Sequence, residues 1–278
     1  MPRARCQGPL FIRYTLNWSE DMDAHGYCMR WRENAERRGV AAHVVAEIAR
    51  RHDVTATRFG VLTNMPELSD PEGKSFFLIP AYADGARARA AALMTYILNA
   101  GTGYGKAGGR ATDFPVTPYG APEVTRIMAR QNANRWSYTH DVAFVHRNGG
   151  RLVTTPNGML MGVGGNLVQR LFSRRGGTTW GDLFMVNAGK VTDPAGLLCQ
   201  IVSSGRAWYL DGNGTPRASR LDLDRVLHHE ERHAAQWADR GYVGMLAGYG
   251  RELFRELVFG AVNRLEADAG LADGGYRA

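Results

Sequence analysis

Lysine is nearly missing from this chain. Lys74, Lys106 and Lys190 are the only three, and arginine supplies the rest of a basic excess that leaves a formal net charge of +7. The pairs Arg37-Arg38, Arg50-Arg51 and Arg174-Arg175 are scattered and build no basic run. With abundant alanine and glycine, this is a GC-rich compositional bias rather than the footprint of a nucleic-acid binder, so no such partner is expected. Cysteine is scarce too. Cys6, Cys28 and Cys199 are odd in number and far apart, which argues against a disulfide framework and against closely spaced thiolate ligands. Apolar runs are short: the longest, Ala90 to Ala100, falls well below the roughly 20 residues that cross a bilayer. The first residues are interrupted by Arg13 and followed by Glu20, Asp21 and Asp23, so they do not read as a secretory leader. The expectation is a soluble, cytoplasmic protein with no membrane partner.

What is present suffices for a sizeable core: 278 residues, 44% hydrophobic and 22% charged. The pattern predicts helices over Ser19–Arg38, Ala41–His52, Asp84–Asn99 and about Pro122–Asn134. Short apolar runs at Phe59–Asn64, Ser75–Pro80, Asp141–Arg147, Arg151–Thr155, Gly158–Gly164, Thr178–Asn187, Leu197–Val202 and Ala207–Leu210 read as strands. From Asp222 onward everything reads as helix. The fold class expected is α+β, divided into a helix-rich region 1–120 of unknown role and a region 121–278 in which a short-stranded sheet precedes two packed helices.

One segment carries chemistry. LDLDRVLHHEERHAAQWADRG (Leu221–Gly241) contains His229, Glu230 and His233 in the pattern H-E-x-x-H. Residues four apart share a helix face, so the two imidazoles can reach one metal ion while Glu230 faces its open side. Zinc in such a site lowers the pKa of a bound water to about 7, and the glutamate takes its proton. Val226, Leu227, Ala234, Trp237 and Ala238 supply the helix's apolar stripe, and Gly241 can end it.

A second expected helix, Arg251–Gly270, places Glu266 at the border of its apolar face, where an unpaired carboxylate would be costly. Glu266 is the candidate third ligand and Asp268 its rival, with glycine-rich Gly241–Gly250 turning the chain back. His228 points about a hundred degrees away from His229 and is at most a neighbour of the site. Tyr242, Tyr249 and Tyr276 are the candidates for polarising a substrate carbonyl.

HHEERHAAQW followed by NRLEADAGLADGGYR resembles the compact gluzincin-like metallopeptidase domains of bacterial proteins, over about Gly176–Tyr276. The resemblance implies a zincin-like fold, with His229, His233 and Glu266 as zinc ligands, Glu230 as general base, and Gln236 following the motif. It also implies a peptide or protein substrate, laid along the strand near Trp180–Val186. Two other functions fit the residues: a non-catalytic interaction protein in which zinc pins the C-terminal helices, and a regulatory protein that binds nucleic acid through its arginines.

Overall fold

The computed structural model describes residues 20–105, 112–165, 177–259 and 263–275, and within them the fold is α+β, with helices outweighing three small sheets. The first part of the chain forms α1 (Glu20–Arg37), α2 (Ala42–Arg51), α3 (Ala56–Phe59), the hairpin β1 (Glu67–Ser69) and β2 (Ser75–Phe77), and then α4 (Gly85–Leu98). Asp84 starts α4 by accepting the Arg87 N–H at 2.7 Å. Helix α4 is apolar nearly all round, and Ala88, Ala91, Ala92, Tyr96, Ile97 and Leu98 are buried in the middle of the first core. That core runs from Trp31 to Leu183 and draws on residues from both sides of position 120.

After α5 (Ala121–Ala133), a π turn at Ser137–Asp141 leads into α6 (Val142–Arg147). Here three expected strands are corrected. Phe59–Asn64 is the end of α3 plus a 3-10 turn, Asp141–Arg147 is mostly α6, and Leu197–Val202 lies inside α7 (Pro194–Ser204). Their buried positions have helical spacing, as in Val142, Val145 and His146, or Leu197, Leu198, Ile201 and Val202. Helix α7 also has its own boundary signals, which the strand assignment passed over. Asp193 caps it by accepting from Gly196 N–H at 2.9 Å, Pro194 opens it, and Gly205 ends it in the left-handed region.

The main sheet contains β3 (Arg151–Thr154), β4 (Leu160–Val163), β5 (Gly177–Trp180) and β6 (Leu183–Val186) in the order β3-β4-β6-β5. β4 and β6 are parallel, with Leu160 opposite Leu183, and the other neighbours are antiparallel. β6 is therefore interior, and the edges are β5 and β3, the latter bridged at Val153 by Leu78. A further hairpin, β7 (Arg206–Leu210) with β8 (Pro216–Asp222), delivers the chain straight into α8 (Leu223–Phe259).

Helix α8 is bent at Gly241 (φ 67°, ψ 169°), a conformation that a side chain would resist. The motif-bearing run of α8 thus stops at Gly241 in a kink, as expected of that glycine, and the glycine-rich stretch after it is helical rather than a loop. Helix resumes there, so the single expected helix Arg251–Gly270 is instead the end of α8 and a separate α9 (Arg264–Ala269). Asn263 caps α9 by accepting from Leu265 and Glu266 N–H, which puts Glu266 in its first turn. Cys28 is a free thiol, whereas Cys199 is disulfide-bonded, against the expectation for so few cysteines. No helix among the described residues is long and apolar enough to cross a membrane.

Candidate metal centre

Helix α8 is fixed in place by a buried charge network on one side. Glu231 pairs with both Arg126 and Arg130 of α5. Arg130 also lies 3.3 Å from Asp182, which accepts from Asn134 at 2.8 Å and from the Tyr138 hydroxyl at 2.9 Å. Asn134 and Asn157 then donate to the helix carbonyls of Ala234 and Leu227. Burial works to raise the Glu231 pKa, but Arg130 and Arg126 outweigh it and hold the carboxyl below its ordinary value. The second glutamate of HHEERH is thus a structural anchor.

The opposite face of α8 carries the predicted ligands. His229 Nε2 and His233 Nε2 are 3.1 Å apart, and Glu266 Oε2 lies 3.3 Å from the first and 3.4 Å from the second. Three ligands about 2.0–2.1 Å from one tetrahedral centre would be about 3.3–3.4 Å apart, so the triangle has the dimensions of a zinc site. The rings are oriented from behind. His229 Nδ1 faces the Ala269 and Gly270 carbonyls at 3.0 and 2.9 Å, and His233 Nδ1 faces Gln236 Oε1 at 3.0 Å. Each Nδ1 therefore donates, which leaves each Nε2 pointing inward. Gln236 is held in turn by donating to Leu265 O at 2.9 Å and Asp268 Oδ2 at 2.8 Å. Asp268 is consequently a partner of Gln236 and not a ligand.

Glu266 Oε2 is buried without a well-directed hydrogen bond, as expected of an atom aimed at a shared centre rather than at either ring. Such a cluster demands a cation. Burial alone would lower the His233 pKa, but the Glu266 and Glu230 carboxylates push it up to about 9. Burial would raise Glu266, yet the two histidines hold it far below the carboxylate range. A proton on His233 thus meets the demand in the metal-free protein. Among the described residues this is the one group of three such side chains placed to hold a metal ion.

Glu230 is buried beside this triangle. Thr179 of edge strand β5 donates to its Oε2 at 2.7 Å, so one carboxylate oxygen is tethered. Tyr209 of β7 lies in the field of Glu230, and its pKa is pushed up to about 12 by burial first and then by that charge. Gly274 is pressed against the His229 ring, where an added Cβ would come 2.6 Å from Cε1, and one at Gly275 would lie 3.6 Å from the Tyr209 hydroxyl. The C-terminal segment is locked down by Asp273, which takes Arg225 Nε at 2.7 Å and exchanges backbone-to-carboxylate hydrogen bonds with Asp113.

The remaining site candidates do not join the triangle. His228 stacks on Tyr104 with ring centroids 3.8 Å apart, lining a cavity of about 130 Å³ on another side of α8. Tyr242 packs among Trp136, Trp180 and Trp237, and Tyr249 is exposed farther along α8. Tyr276 lies outside the described residues. Thr179 and Tyr209 escaped the sequence reading because nothing in their own neighbourhoods marks them, and only the packing of two hairpins on α8 brings them to Glu230. No family model matches the chain, and no curated protein or solved structure matches it.

Proposed function

We propose that this protein is a zinc-dependent metallopeptidase, with region 121–278 forming a zincin-like catalytic unit of gluzincin type. The observation that carries the proposal is the triangle of His229 Nε2, His233 Nε2 and Glu266 Oε2, 3.1–3.4 Å on its sides, with both Nδ1 atoms engaged from behind. Two histidines and one glutamate leave an open position, the arrangement of catalytic rather than closed structural zinc sites. Zinc held there would supply Lewis acidity, bringing the pKa of a coordinated water to about 7 and polarising a carbonyl.

The chain's own groups do the rest. Glu230 follows His229 directly and is tethered through Oε2, which leaves its other oxygen to take the proton of the attacking water. The same carboxyl then delivers that proton to the departing amine. Tyr209, which lies in the field of Glu230, would donate toward the developing oxyanion, in place of Tyr242, Tyr249 or Tyr276. An extended peptide would lie along β5, one edge of the sheet.

Glu230→Gln tests the proposal. Hydrolysis should fall by about a hundredfold or more while zinc content and thermal stability are kept. A variant that retains wild-type hydrolysis would leave zinc as a pin between α8 and α9, because Glu266 lies on one and both histidines on the other.

A further inference from the structure

A cluster of four aromatic rings lies beside the triangle and has no part in the chemistry above. Trp136, Trp180, Trp237 and Tyr242 contact one another with centroid separations between 4.8 and 6.1 Å. Trp237 is buried, but Trp136 and Trp180 are half-buried and Tyr242 is 45% exposed. The cluster is rigid where it meets the site. Trp237 Nε1 donates to the Thr179 carbonyl at 3.0 Å, and the hydroxyl of the same Thr179 holds Glu230. One residue of β5 thus links the general base to the aromatic shelf. The next residue along, Trp180, is itself part of that shelf.

The position along the helix sets a distance. Trp237 follows His233 by four residues, about 6 Å along α8. An extended peptide advances roughly 3.3 Å per residue, so 6 Å corresponds to about two residues, and side chains two apart point the same way. A peptide lying along β5 with its scissile carbonyl at the metal would therefore present a side chain to the shelf about two positions away. Aromatic faces take bulky apolar groups by area burial and by edge-to-face contact, and the four rings themselves carry no charge.

Resting on the metallopeptidase proposal, we infer that this shelf is a specificity subsite, and that the substrates are extended polypeptides carrying a bulky apolar or aromatic residue about two positions from the cleaved bond. The feature joins the shelf to the site through Thr179, so the occupant is the substrate itself rather than a separate partner.

The test uses zinc-loaded full-length protein and a set of otherwise identical peptides in which Phe, Leu, Asp or Lys is stepped along the chain. Products are mapped by mass spectrometry. Cleavage should follow Phe and Leu at a fixed offset, with kcat/KM about tenfold or more above the Asp and Lys peptides. Tyr242→Ala and Trp180→Leu should erase that preference while zinc content stays stoichiometric. Cleavage that ignores the offset, or a preference untouched in both variants, overturns the subsite and leaves the peptidase standing. If nothing is cleaved, the peptidase proposal fails, and the Glu230→Gln protein decides the shelf separately. Quenching of tryptophan emission by the Phe peptide, lost in Glu230→Gln/Tyr242→Ala, would uphold a binding shelf, and no quenching would overturn it.

Discussion

Two buried charged clusters sit on opposite faces of one helix, and they differ in how their charges are met. On one face, Glu231 is matched by Arg126 and Arg130, and Arg130 in turn by Asp182, so the protein supplies every counter-charge itself. On the other, His229, His233 and Glu266 direct three electron-rich atoms at one another, and the described residues bring no arginine or lysine among them. Burial costs both clusters the same kind of desolvation. The first repays it with arginines of the fold, and in the second the described residues supply a proton on His233 as counter-charge. Burial and charge by themselves therefore do not mark a functional site. Three ligand atoms converging on one centre do.

The difference can be tested by breaking each side. Glu231→Gln should be the most damaging change to the fold, because it leaves Arg130 buried beside one carboxylate fewer. We expect a loss of about 3–5 kcal/mol in chemical denaturation. Zinc stoichiometry measured well below the midpoint should be unchanged, and loss of zinc in that variant would show that the two faces are not independent. His233→Ala should weaken zinc by about a thousandfold (~4 kcal/mol), and at neutral pH it should also destabilise the metal-free protein, because Glu266 loses its protonated partner. Zinc bound equally well by that variant would remove His233 from the ligand set.

A smaller effect is expected from Gln236→Ala, which frees the His233 ring without removing a ligand. Competition with a chelator should show zinc affinity about 10–100-fold weaker. An unchanged affinity would mean that the hydrogen bond from His233 Nδ1 does not orient the ring. A graded effect concerns pH. Because the metal-free His233 pKa is raised to about 9, its proton is present below that value and must leave before zinc binds. Apparent affinity should thus climb about tenfold per pH unit toward pH 9 and level off above it, with about one proton released per zinc at neutral pH. Calorimetry in buffers of different ionisation heat measures that proton directly, and a count of zero would place the counter-charge elsewhere.

Parts of this were legible in the sequence. The long helices lay within a residue or two of their predicted spans, since α1, α2, α4 and α5 each run for ten residues or more and boundary residues such as the Asp84 cap of α4 mark their ends. Short apolar runs were not decided that way. Asp141–Arg147 and Leu197–Val202 read as strands, because short, mostly apolar runs satisfy both periodicities until a packing partner selects one. The bend of α8 at Gly241 was visible as a stop but not as a bend, since the Leu, Met and Ala after it favour helix and the glycines do not forbid it.

His229, Glu230 and His233 were fixed by local geometry: any helix through HEERH puts His229 and His233 on one face. Everything that makes those residues a site is decided by tertiary structure. The Glu266 ligand, the Ala269 and Gly270 carbonyls behind His229, the Thr179 tether and Tyr209 all come from separate elements of the chain. Spacing along a helix is a short-range property of the backbone, which a sequence displays directly. A counter-charge or a tethering hydroxyl depends on which surfaces pack together, and that choice is made by the two cores as a whole.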